Sequence, residues 1–152
     1  MPVAELNRLK RNKVVRNLLS QTELTPANII LPYFAVEGEN IKKPIKSMPG
    51  IYHLSVDNLV KDIALAQTAG IKSILLFGLP EIKDSTGSRA YGKNGIVQKA
   101  VCAVKNKYPD LIVITDVCLC AYTSHGHCGI LKKPAVCAID NQATLAVLSK
   151  IA

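Results

Sequence analysis

Two stretches of this chain are hydrophobic without alternation: Ser73-Ile74-Leu75-Leu76-Phe77-Gly78 and Leu111-Ile112-Val113-Ile114-Thr115-Asp116. A strand with one wet face alternates apolar and polar residues. A near-continuous run is expected of a strand buried on both faces, as in a parallel sheet. A third run, Ile29 to Val36, has the same character except for Pro32, which cannot donate to a ladder and weakens the strand assignment. The three runs start about 40 residues apart, the spacing of successive βα units.

Helical periodicity fills the gaps. Val56, Leu59, Val60, Ile63 and Ala66 make one helix face, with Ser55 placed to cap it and Gly70 placed to end it. Val97, Ala100, Val101 and Val104 make a second face, which stops before Pro109. A third helix is expected after Asp140, carrying Leu145, Leu148 and Ile151, and it has no stop signal before Ala152. The order is β-α-β-α-β-loop-α.

A chain of 152 residues can bury one real core. Three parallel strands cannot close a barrel, and an eightfold βα barrel takes roughly 250 residues. A small doubly wound sheet is the competing architecture. It would want a Gly-rich phosphate turn after its first strand, and Val36-Glu37-Gly38-Glu39-Asn40 has one Gly and two acids. The expected fold is therefore α/β: a truncated TIM (β/α)8 barrel with about the first three βα units, residues 25–152, behind an N-terminal arm, residues 1–24.

The formal charge of +8 is concentrated at the start, in Arg8, Lys10, Arg11, Lys13 and Arg16. Such an arm binds an acidic surface, nucleic acid or a partner subunit, or is simply a solvated terminus. It has no interleaved aromatics for base stacking and no nucleic-acid motif follows, so nucleic acid is not the expected partner. No apolar run reaches the length of a membrane span, and no secretory signal opens the chain. Glu5 and the lack of a Ser-rich stretch argue against an organelle transit peptide.

Five cysteines, an odd number without a secretory signal, argue against a disulfide framework and for a reducing, cytoplasmic setting. Three of them cluster in Asp116-Val117-Cys118-Leu119-Cys120-Ala121-Tyr122-Thr123-Ser124-His125-Gly126-His127-Cys128-Gly129. Cys118 and Cys120 are two apart and point the same way in an extended segment. A loop then brings Cys128 back. Three thiolates can hold zinc at about 2.3 Å each and leave a fourth position open, as catalytic zinc requires. His125 and His127 are further candidates, as ligands or to orient a substrate. Buried, inert cysteines are the alternative for a Cys-x-Cys pair alone. Cys102 and Cys137 lie outside the cluster and are read as packing residues. Asp116, at the end of an apolar strand, is costly to bury unless paired. Catalytic groups of βα barrels sit at such strand ends, so a functional role is expected for it.

The segment Asp116 to Gly129 resembles the metal-site motif of the zinc-dependent porphobilinogen synthases, also called delta-aminolevulinic acid dehydratases. Arg8 to Arg16 resembles the family's basic arm, and Ile30 to Gly38 its first strand. Ser47 to Tyr52, Leu75 to Pro80 and Lys83-Asp84-Ser85-Thr86-Gly87-Ser88 also match. Ala121 departs from the proline usual at that place. The resemblance implies an enzyme that condenses two molecules of 5-aminolevulinate to porphobilinogen with loss of two waters, in tetrapyrrole synthesis. It implies a TIM barrel whose arm embraces a neighbouring subunit, usually in a homo-octamer. It implies Zn2+ on Cys118, Cys120 and Cys128, an active-site role for Asp116, and Mg2+ as the family's allosteric ion. It also places the family's two Schiff-base lysines and its substrate-carboxylate ligands on later strands. Lys72, Lys132 and Lys133 do not take those roles. The expectation is a truncated chain that is inactive alone; the alternative is a non-catalytic remnant that at most binds zinc.

Overall fold

The computed structural model describes residues 12–133 and 136–152; the side chains of 133, 136 and 137 fall outside the description. Of the basic arm, Arg8, Lys10 and Arg11 lie outside the described residues. Lys13 and Arg16 stand on a short helix α1 (Lys13–Leu18), whose N-cap Asn12 accepts from the Val14 N–H at 2.8 Å. A six-residue helix is too short to be stable by propensity, and α1 buries none of its residues.

Five strands form one sheet in the order β2-β3-β1-β4-β5. They are β1 (Ile30–Val36), β2 (Lys42–Pro44), β3 (Tyr52–Leu54), β4 (Ser73–Leu79) and β5 (Ile112–Thr115). β1, β4 and β5 are the three apolar runs, and they are parallel neighbours, with Tyr33 opposite Leu76 and Leu76 opposite Thr115. β3 adds a parallel strand on the other side of β1, and β2 closes that edge antiparallel to β3. Pro32 sits inside β1, but β3 pairs only with Phe34 and Ala35. At Pro32, β1 is therefore an edge on that flank, where a strand tolerates proline.

Helices α2 (Val56–Thr68) and α3 (Ile96–Lys107) carry the expected apolar faces. Leu59 and Ile63 of α2 and Ala100 and Val104 of α3 are buried with Tyr33, Ile74 and Leu76 of the sheet. The Tyr108 hydroxyl donates to the Val60 carbonyl at 2.9 Å and ties the helices together. Gly70, at φ +93°, ends α2 as its sequence position suggests. Ser55 is at the N-cap of α2, yet its side chain caps no backbone N–H of the helix. Its hydroxyl accepts from the Ile41 N–H at 2.8 Å instead, because the β2 end of the chain passes directly over it. Gly78, within β4, lies where α3 comes closest. A methyl there would stand 2.5 Å from Val97 Cγ2 and from the Tyr122 hydroxyl.

The opposite face of the sheet is different. Pro32, Phe34, Leu75 and Phe77 are only partly buried, and Ile30, Ile112 and Ile114 are exposed. Phe34 and Phe77 stack on each other at 5.1 Å. The expectation that β5 is buried on both faces is therefore corrected. Ile112 is 58% and Ile114 37% exposed. Among the described residues β5 is an edge strand paired with β4 alone, and α2 and α3 both pack on the other face.

After β5 the chain makes the cysteine-bearing loop, then a hairpin of β6 (Leu131–Lys133) and β7 (Val136–Ile139), and then α4 (Asn141–Ile151). Asp140 caps α4 by accepting from the Ala143 N–H at 3.1 Å. Val147 of α4 packs with Leu119, Tyr122 and Ala90 in a second, smaller cluster. No helix among the described residues is long and apolar enough to cross a membrane.

Candidate metal centre

The loop that leaves β5 is shaped by one buried side chain. Leu119, between the two nearest cysteines, is fully buried, and its carbonyl accepts from the N–H groups of both Tyr122 and Thr123 at 2.9 Å. A tight turn at 119–123 follows. Anchoring Leu119 inward leaves its neighbours Cys118 and Cys120 on the outer side, both half-buried. Gly126, at φ +74°, turns the chain back, and the buried Thr123 hydroxyl donates to the His127 carbonyl at 2.9 Å. Cys128 returns by this route and is exposed.

The three sulfurs come together. Cys118 Sγ and Cys120 Sγ are 3.4 Å apart, and all three lie within 4.8 Å of one another. Thiolates about 2.3 Å from one tetrahedral ion would stand about 3.8 Å apart, so the spacing suits a single ion. Thiolate sulfur also suits zinc better than magnesium or calcium. With no cation, burial pushes the Cys120 thiol up to about 11, and Cys118 and Cys128 add to the shift. Cys128 is raised as well, chiefly through its hydrogen bond to Cys118. Cys120 and Cys128 are thus held back from ionising, a penalty that a bound cation relieves.

Asp116 follows β5 directly, and its N–H reaches the Leu76 carbonyl at 3.4 Å. Its side chain is exposed at the end of an edge strand, so the cost of burying an unpaired carboxylate does not arise. Nearby, the Tyr122 phenol is pushed up to about 12, first by burial and then by the charge of Asp116. Both residues line a cavity of about 250 Å³ that also touches α3 and α4. A larger groove of about 990 Å³, with Glu37, Asp57 and Arg89 among its lining residues, lies elsewhere and includes none of the cysteines.

The two histidines are beside the sulfurs in sequence, but their rings face each other at 5.4 Å. Of the outlying cysteines, Cys102 is on α3 and exposed, so it is not the packing residue expected. The Cys137 side chain lies outside the described residues. Residue-type reasoning overlooked Asp84, whose main chain bridges to Thr123 of the cysteine loop. The signal was available: an Asp followed by Thr two residues on and Ser four residues on is the pattern of a side chain that folds its own loop.

Comparison with known proteins is consistent along the whole chain. The profile of the family described as delta-aminolevulinic acid dehydratase matches residues 3–152. The chain is 51% identical over 145 residues to a delta-aminolevulinic acid dehydratase of Ruminiclostridium josui, covering 95% of this chain and 69% of that one. It is 47% identical over 151 residues to that of Methanothermus sociabilis, covering 99% of this chain and 46% of that one. A crystal structure of delta-aminolevulinic acid dehydratase from Toxoplasma gondii, in complex with the reaction product porphobilinogen, superposes with a TM-score of 0.91 at 33% identity. That match covers 99% of this chain and 43% of the other. The chain thus spans less than half the length of the Methanothermus sociabilis relative and of the Toxoplasma gondii chain.

Proposed function

The chain belongs to the delta-aminolevulinic acid dehydratase family, and on that footing we propose that it forms the metal-binding wall of a porphobilinogen synthase, an enzyme that joins two 5-aminolevulinate molecules with loss of two waters. The observation that carries this reading is the meeting of Cys118, Cys120 and Cys128 within 4.8 Å at the end of a parallel strand. Those three thiolates hold Zn2+, which when bound supplies Lewis acidity toward a substrate oxygen. Asp116, exposed at the same strand end, is free to hold the substrate amine or carry a proton. Leu119 keeps the two cysteines facing outward toward that space.

The architecture we propose around this wall is a partial (β/α)8 barrel over residues 25–152 behind an arm over residues 1–24. Its support is the apolar, part-exposed face of the sheet, which fits a barrel interior, together with the bare edge of β5. For the arm, the support is Val14, Leu18 and Leu24, which are 74, 81 and 81% exposed. Apolar residues so exposed suit a neighbouring copy in a homo-oligomer. Free thiols in such a site need a reducing compartment, which points to the cytoplasm.

The covalent part of the reaction is assigned by family resemblance to lysines on later strands. We therefore expect the purified 152-residue chain to bind zinc and to make no porphobilinogen in a colorimetric assay. Zinc-dependent product above the no-enzyme background would contradict that division of labour.

A further inference from the structure

The loop between β4 and α3 has a hub in Asp84. Its carboxylate accepts from the Thr86 N–H at 2.8 Å, the Thr86 hydroxyl at 2.9 Å and the Ser88 N–H at 3.2 Å, and from the Ser88 hydroxyl. These bonds hold the carboxyl well below the usual carboxylate range, the Ser88 hydroxyl most of all. They wind residues 84–88 into a tight loop that places Gly87 at φ +65°.

So folded, the loop presents its main chain to the cysteine loop. The Ser124 N–H donates to the Asp84 carbonyl at 2.8 Å, and the Asp84 N–H reaches the Tyr122 carbonyl at 3.4 Å. His125 Nδ1 accepts from the His127 N–H at 3.2 Å, which leaves Nε2 to carry the proton and face the Ser85 carbonyl at 3.3 Å. The Nε2 contact joins the two loops, and the Nδ1 bond stays within the cysteine loop, so both ring nitrogens already have protein partners. Gly87 rests against Leu119, where an added methyl would come within 2.9 Å of Cδ2. Leu119 in turn separates Cys118 from Cys120. A chain of contacts runs from one carboxylate, through Gly87 and Leu119, to the spacing of two sulfurs.

We propose that Asp84 is a positioning residue of the three-cysteine site: it presets the sulfur spacing without being a ligand itself. This rests on the reading of Cys118, Cys120 and Cys128 as metal ligands. A preset site binds more tightly because less of the binding energy goes into ordering the loop. Outer groups that hold ligands in place typically change metal affinity about 10–100-fold.

The test is a titration of the reduced 152-residue chain with Co2+, read by the thiolate-to-cobalt charge-transfer band. Asp84→Ala is expected to weaken binding about 10–100-fold while the band at saturation keeps its wild-type intensity. Asp84→Asn keeps one acceptor oxygen and is expected to fall between the two. Gly87→Ala disturbs the same contact without touching the carboxylate and is expected to weaken binding too. If Asp84→Ala binds Co2+ as tightly as wild type, the positioning role is wrong and the metal reading stands. If Asp84→Ala and Asp84→Asn instead lower only the fraction of chains that bind, with unchanged affinity, Asp84 is a folding residue and the proposal is overturned. A wild-type chain without the band overturns the metal reading, and this inference with it.

Discussion

Cys118→Ala is expected to reduce zinc affinity by more than about 100-fold, beyond what the loss of an outer-shell contact costs. The reason is coordination number. Three sulfurs converge here, and among the described residues no other His, Cys, Asp or Glu group completes a comparable cluster. Losing one sulfur leaves two protein ligands, too few for either a structural or a catalytic zinc site. The same loss is expected for Cys120→Ala and Cys128→Ala, even though Cys128 is exposed and the other two are half-buried. Exposure governs access to a metal, not its share of the bonds. Equilibrium dialysis against a zinc chelator series reads the change directly. An affinity within a few-fold of wild type in all three variants would show that the ion, if any, is held elsewhere. Cys102→Ala is the matched control, since Cys102 is on α3 and outside the cluster.

The second large effect concerns the two faces of the sheet. Leu76 is fully buried between β4 and the helices, so Leu76→Ala is expected to cost about 2–5 kcal/mol through lost transfer energy and the cavity left behind. That is a large share of a typical domain's stability of about 5–15 kcal/mol. Ile112 is just as apolar but is 58% exposed at the sheet edge. Ile112→Ala is expected to cost less than about 1 kcal/mol, by the modest burial it loses. Ile112→Lys should raise solubility of the 152-residue chain, because charged residues guard an open strand edge. Chemical denaturation of the two alanine variants separates the first two outcomes, and the soluble concentration of Ile112→Lys against wild type reads the third. Equal losses for Leu76→Ala and Ile112→Ala would mean that the second face is covered as fully as the first, and the partial-barrel reading would lose its physical support.

This contrast also explains which parts of the fold were legible in the sequence. The runs at Ser73 and Leu111 announced parallel strands correctly, because backbone pairing and apolar composition agree there. They could not announce that Ile112 and Ile114 are exposed. The same sequence serves a strand with partners on both sides, and exposure depends on what packs against it. β2 and β3 are three residues each, too short for any periodicity, and were not anticipated. Ser55 was placed correctly at a helix start, but its hydroxyl was drawn to Ile41 by a strand the sequence did not reveal.

The candidate site divides along the same line. The nearness of Cys118 to Cys120 was legible from their two-residue spacing, but the extended geometry expected for it is corrected: a turn that begins at Leu119 brings the sulfurs to 3.4 Å. The return of Cys128 needed Gly126 at positive φ and the Thr123 hydroxyl, and only the presence of a short loop hinted at either. Asp84 lies 34 residues before Cys118. Nothing local connects them, since the link passes through backbone atoms and a glycine rather than through residue types associated with metals.

Zinc-edge X-ray absorption on the reduced, zinc-loaded chain tests the central claim most directly. The account predicts three sulfur neighbours at about 2.3 Å and one lighter neighbour at about 2.0–2.1 Å. A first shell of nitrogen and oxygen only, or of four sulfurs, would contradict it.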